Sequence, residues 1–118
     1  MDRAYPPYSG FKVGALVVTD DGVTYTGCNM ENASYGATLC AERTAISKAI
    51  SGGHRKISRV IVCGDSEKPV IPCGLCLQVM AEFASQDMQV ICCDRTGNRK
   101  KQFAFSELLP NRFGGEGY

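Results

Sequence analysis

An α/β layered domain on a mixed five-stranded sheet is what this 118-residue sequence predicts, and three observations carry the prediction. Five short runs rich in β-branched or aromatic residues alternate with two stretches of helical periodicity, in the order strand, strand, helix, strand, helix, strand, strand. The first helical stretch stands where a crossover between strands belongs. At 44% hydrophobic, the composition supplies apolar material for one core, so residues 1–118 are expected to form a single domain.

The elements follow in order. Pro6, Pro7 and Gly10 keep the first ten residues out of a regular helix, because proline lacks the amide donor and fixes its φ. Phe11 to Thr19 is nearly continuously apolar through Val13, Ala15, Leu16, Val17 and Val18, as a strand buried on both faces should be. Asp21-Gly22 supplies a hairpin turn, and Val23 to Cys28 is the antiparallel partner. If the extended chain continues through Asn29-Met30-Glu31, Asn29 and Glu31 point to one side and can grip one polar group of a ligand.

Residues 32–39 read as a loop. Cys40 to Ile50 reads as a helix with Ala41, Ala45, Ile46, Ala49 and Ile50 on one stripe, ended by Ser51-Gly52-Gly53. Ser58 to Gly64 is a buried strand, expected parallel to an earlier one through a right-handed connection. After the surface turn Ser66 to Pro69, a second helix runs from Cys73 to Ser85, with Cys76, Val79, Met80 and Phe83 on one face. Gln89 to Cys93 is the fourth strand, Gly97 marks a turn, and Lys100 to Phe105 is the fifth strand. Ser106 caps a last helical turn that Pro110 stops.

Charge and cysteine usage narrow the function classes. The net charge is +1 with lysines and arginines scattered, so no basic stripe is present to neutralise a run of phosphates, and a polymeric nucleic-acid substrate is disfavoured. No secretory signal and no run of eighteen apolar residues occurs, which predicts no membrane partner. Seven cysteines cannot all pair and are read as reduced thiols of a cytoplasmic protein. Asn32-Ala33-Ser34 is accordingly taken as a chance glycosylation sequon.

The chemistry concentrates in Cys40-Ala41-Glu42-Arg43 and Pro72-Cys73-Gly74-Leu75-Cys76. A C-x-x-C pair, a distant third cysteine and a nearby glutamate fit an open zinc site with three protein ligands, Cys40, Cys73 and Cys76, and a fourth position for water. Each piece begins a helix, where unpaired amides favour thiolates. Glu42 is turned away from Cys40 along the helix, so it stands beside the metal as a proton carrier. Three thiolates on a divalent ion leave a charge of minus one, which the fork of Arg43 can offset by bonding two sulfurs.

Plainer readings stand beside these. Glu42 could be an ordinary first-turn glutamate, Arg43 a solvated helix residue, and the C-x-x-C a redox pair. A closed structural zinc site needs a fourth ligand, and Cys28, Cys63, Cys92 and Cys93 read better as small strand hydrophobes. His54, in a basic turn, is expected to be exposed and not a ligand.

With these residues in place, the sequence resembles the small homotetrameric cytidine deaminases, members of the zinc deaminases that are the type case for a metal-activated water attacking a nucleobase. The resemblance runs from Ala4 to Pro110 through Pro7-Tyr8-Ser9, Phe11-Lys12-Val13-Gly14-Ala15, the stretch from Gly27 to Gly36, the two cysteine pieces and Glu107-Leu108-Leu109-Pro110. It implies a three-layer α/β/α sandwich, one Zn2+ per subunit, and hydrolytic deamination of cytidine and 2'-deoxycytidine in pyrimidine salvage. Glu42 is then the catalytic proton shuttle. Asn29 and Glu31 hold the sugar hydroxyl, Phe11 lies against the pyrimidine and the backbone at Ala41 reads the base. Ala33, Tyr35 and Phe113 complete a neighbouring subunit's pocket.

Two departures from the pattern accompany it. The family's first helix is expected to be missing, since the sequence begins just before Tyr5, and stability is expected to be lower for it. Leu77 stands where many relatives place arginine. Other functions remain open at this point: a deaminase of another aminopyrimidine such as a blasticidin-type antibiotic, or an inactive zinc-binding interaction protein. Asn29 and Glu31 favour the nucleoside, and the intact Glu42 and Arg43 disfavour an inactive protein.

Overall fold

The computed structural model describes residues 1–111. Nine elements follow one another: β1 (Val13–Thr19), β2 (Thr24–Cys28), a 3-10 turn (Tyr35–Ala37), α1 (Ala41–Ser51), β3 (Ile57–Gly64), α2 (Gly74–Phe83), β4 (Ala84–Cys93), β5 (Lys100–Ala104) and α3 (Phe105–Leu108). The five strands form one sheet in the order β2-β1-β3-β4-β5. Only β3 and β4 pair in parallel; the other neighbours are antiparallel. The mixed sheet of the sequence reading is therefore present.

Both β2 and β3 run antiparallel to β1, which lies between them, so β2 and β3 point the same way. That is the parallel relation expected across the α1 connection. A second crossover through α2 links the adjacent parallel pair β3 and β4.

Two rows of the sheet explain the core. Val17 faces Val60, Val60 faces Val90, and Val62 faces Cys92, all fully buried. The same core takes Ala41, Ala45, Ile46 and Ala49 of α1 and Cys76, Leu77 and Met80 of α2. Burying a branched side chain such as Ile46 contributes about 1.5–3 kcal/mol, and the alanines at intervals of four let α1 lie close to the strands. Gly27 makes this approach possible. A Cβ there would stand 2.6 Å from both the Ala41 carbonyl oxygen and the Ala45 amide nitrogen.

Several expectations need correction. β1 is not buried on both faces: Ala15, Val17 and Thr19 are buried, while Leu16 and Val18 are half-buried. The chain leaves β2 at Cys28, and Met30 makes only isolated bridges, to Tyr5 and Leu39. Helix α2 stops at Phe83, not Ser85, because Ala84 turns extended (φ −66, ψ 132) and pairs with Ile57. Sheet pairing and the burial of Ala84 and Met88 outweigh helical propensity there. The last helix is capped by Glu107, which accepts from the Ala104 amide at 2.8 Å, not by Ser106. His54 is not exposed: its Nδ1 lies 3.2 Å from Asp21 and its ring meets Tyr25 edge-on.

Candidate active site and metal centre

Two helix starts face each other at the site. Cys40 is the N-cap of α1 and Cys73 the N-cap of α2, both in extended conformation, and Cys76 lies one turn further along α2. The sulfurs of Cys40 and Cys73 are 3.9 Å apart and those of Cys73 and Cys76 are 3.6 Å apart. All three lie within 4.8 Å of one another. Tetrahedral zinc with Zn–S of about 2.3 Å sets its sulfurs about 3.8 Å apart, close to the Cys40–Cys73 and Cys73–Cys76 separations. Among the described residues this is the only cluster of its kind.

The electrostatics suit a thiolate at Cys40. Cys40 is held down at about 5, first by the hydrogen bond from Cys76 and then by Arg43 against the cost of burial. Cys76 is raised, chiefly because it is the donor in that pair. One Arg43 nitrogen donates to the Thr38 carbonyl at 3.0 Å and to the Cys40 sulfur at 3.5 Å, and the charge acts on Cys76 as well. Among the described residues the Arg43 Nε is buried without a partner. Leu77 is buried in the core beside Met80, so that position contributes packing and Arg43 supplies the positive charge.

Glu42 is 4% exposed. Burial pushes its carboxyl above the ordinary range, and the Cys40 charge adds to the shift. It lines a cleft of about 210 Å3 together with Val13, Asn29, Glu31, Cys40, Ala41 and Cys73, among others. Ala41 is fully buried at the first helical position, where the amide has no intrahelical partner.

Asn29 and Glu31 reach that cleft from the end of β2. The Asn29 side chain accepts from the Val13 amide (2.9 Å) and donates to the Phe11 carbonyl (2.8 Å), fastening the segment that leads into β1. Glu31 accepts from the Tyr8 and Ser9 amides and the Ser9 hydroxyl. These bonds, the Ser9 hydroxyl first, hold its carboxyl below the ordinary value. An outer cleft of about 380 Å3 lies between Tyr8, Ser9, Glu31, Asn32, Tyr35 and Thr38, and it shares Glu31 and Thr38 with the inner one.

Phe11 is half-buried and is not among the residues that line either cleft. A Cβ on Gly64 would stand 2.9 Å from the Phe11 ring and 2.2 Å from a methyl of Val70, which lines the inner cleft. Ala33 and Tyr35 are exposed, with Tyr35 edge-on to Tyr8 at 6.2 Å. Phe113 lies outside the described residues. Sequence reasoning missed Ser9, Thr38, Gly27 and Gly64. A glycine in a strand marks close backbone approach, a signal that was available for the last two.

A mixed sheet presenting two helix N-termini, three convergent thiols and a buried glutamate defines the zinc-dependent deaminase class. Comparison with known proteins narrows the class. Residues 1–92 match the family model described as the cytidine and deoxycytidylate deaminase zinc-binding region. The chain is 48% identical over 115 residues to a cytidine deaminase of Halalkalibacterium halodurans, spanning 98% of this chain and 86% of the relative. It is 45% identical to one of Sporosarcina psychrophila, spanning 98% and 84%. The crystal structure of cytidine deaminase from Burkholderia pseudomallei superposes with a TM-score of 0.88 at 42% identity, covering 95% of this chain and 89% of that one. The Mycobacterium tuberculosis enzyme gives 0.82 at 35%, covering 97% and 88%. The chain belongs to the cytidine and deoxycytidylate deaminase family. No helix among the described residues is long and apolar enough to cross a membrane.

Proposed function

We propose that this protein hydrolyses cytidine and 2'-deoxycytidine to uridine and 2'-deoxyuridine, releasing ammonia. The observation that carries the reading is the meeting of three thiols within 4.8 Å beside a carboxyl that burial keeps easy to protonate. Cys40, Cys73 and Cys76 would hold a zinc ion, whose chemistry there would be to acidify a water that provides the oxygen for C4. Glu42 would take one proton from the attacking water and hand it to N3, then carry the proton of the new C4 hydroxyl to the amino group, which leaves as ammonia as the C4–N bond breaks and C4 becomes a carbonyl.

The remaining residues bind and orient. The Ala41 backbone faces the base from the start of α1, and Phe11 packs toward the pyrimidine through the wall of the cleft. Asn29 and Glu31 hold the sugar hydroxyl. Arg43 offsets the excess negative charge of three thiolates, which keeps the ion electrophilic. Ala33 and Tyr35, exposed on this chain, and Phe113 contribute to the pocket of a neighbouring copy in a homotetramer, which leaves the outer cleft to be closed by assembly.

The test is direct. Purified protein is assayed for zinc by elemental analysis and for conversion of cytidine by chromatography of the nucleoside and assay of ammonia. One zinc per chain and equimolar uridine and ammonia are expected. Zinc-loaded protein that leaves both nucleosides unchanged sinks the reading. Sedimentation of the same sample reports the tetramer separately.

A further inference from the structure

Among the described residues, the donors that hold Glu31 come from one short segment. Its Oε1 accepts from the amides of Tyr8 at 2.9 Å and Ser9 at 3.0 Å, and its Oε2 accepts from the Ser9 hydroxyl. The Ser9 oxygen in turn accepts from the Phe11 amide at 3.0 Å. An ionised carboxylate offers about four acceptor positions. Two on Oε1 and one on Oε2 are filled, so the position left for a ligand is on Oε2, next to the Ser9 hydroxyl. Ser9 and Glu31 both line the outer cleft, and Glu31 also lines the inner one.

We propose that Ser9 is a positioning residue for sugar recognition: its hydroxyl turns Glu31 so that one Oε2 lone pair faces the ring hydroxyls of the nucleoside. The inference rests on the sugar-binding reading of Glu31 given above. A serine that merely braced the loop would serve every substrate alike, whereas a serine that aims Glu31 matters only for substrates with ring hydroxyls to offer.

The experiment compares cytidine with 2',3'-dideoxycytidine, which lacks both ring hydroxyls, in wild type, Ser9→Ala and Ser9→Thr, with melting curves as a check on folding. For Ser9→Ala, kcat/KM on cytidine falls about tenfold, mostly through KM, equivalent to about 1.4 kcal/mol. On the dideoxynucleoside the change stays within about twofold, inside the scatter of ordinary surface substitutions. Ser9→Thr, which keeps the hydroxyl, restores most of the difference. An equal loss on both substrates, or no loss on cytidine, overturns the proposal. A wild type that fails to distinguish the two nucleosides shows instead that Glu31 does not bind the sugar, and the proposal falls with that reading. Should Ser9→Ala not fold, Ser9→Cys is read by the same substrate ratio.

Discussion

Two glutamates serve one cleft and are driven in opposite directions. Glu42, at the metal end, is buried against the first turn of α1, and desolvation raises its carboxyl. Glu31, at the end proposed to bind the sugar, sits near the surface, where the Ser9 hydroxyl and two amides hold its carboxyl down. Burial favours the protonated form of a carboxyl and so suits a proton carrier, while hydrogen bonds to the charged form favour an ionised acceptor. In the function proposed above, proton transfer falls to one end of the cleft and recognition to the other by environment, since the two side chains are chemically identical.

The ends also differ in what holds them. The metal end is fixed by two helices packed on the sheet, and the sugar end by a non-helical segment laced to Asn29 and Glu31. Damage at the metal end should be the more severe. Cys40→Ala removes one of three thiols, and zinc stoichiometry well below one per chain with no detectable turnover is expected, measured by elemental analysis and assay. Retention of a full zinc complement would break the comparison at its first point.

Gly27→Ala comes next. Its Cβ would press on the Ala41 and Ala45 backbone at 2.6 Å, and overpacking of that kind costs about 1–3 kcal/mol. The expected result is a lower urea midpoint together with weaker zinc retention, since α1 carries both Cys40 and Glu42. A stable variant with unchanged zinc binding would show that the helix start does not depend on this contact.

The smallest effect belongs to the sugar end and to pH. A carboxyl held below its ordinary 4.5 contributes stability above that pH, and the contribution disappears as pH falls through the folded-state value. Acid unfolding of Glu31→Gln should therefore be less steep than that of wild type below pH 4.5, with the two converging at the lowest pH. Parallel acid limbs would mean that the Tyr8 and Ser9 bonds do not favour the ionised form.

Much of the fold and of the metal end could be read from the residues. The Val13 to Thr19 run, the Asp21-Gly22 turn and the β-branched stretch from Val60 to Val62 state their own structure, and C-x-x-C beside a distant Cys-x-Glu states the chemistry. What escaped was tertiary. Nothing local says that Ala84 pairs with Ile57 instead of extending α2, since alanine favours the helix. Nothing local says that His54 folds back between Asp21 and Tyr25, or that Ser9 meets Glu31 across 22 residues. Such contacts join segments distant in the chain, and periodicity carries no record of them.

The central claim, that the two carboxylates divide proton transfer from recognition, is tested most directly by kcat and KM for cytidine in zinc-checked Glu42→Gln and Glu31→Gln, measured side by side. Glu42→Gln should lose about 10²–10⁴-fold in kcat, the usual contribution of a positioned acid–base group, with KM little changed. Glu31→Gln should raise KM about tenfold or more, the loss of a charge-assisted hydrogen bond, with kcat largely kept. If both variants lose the same parameter, or if Glu42→Gln turns over as fast as wild type, the division of labour is wrong.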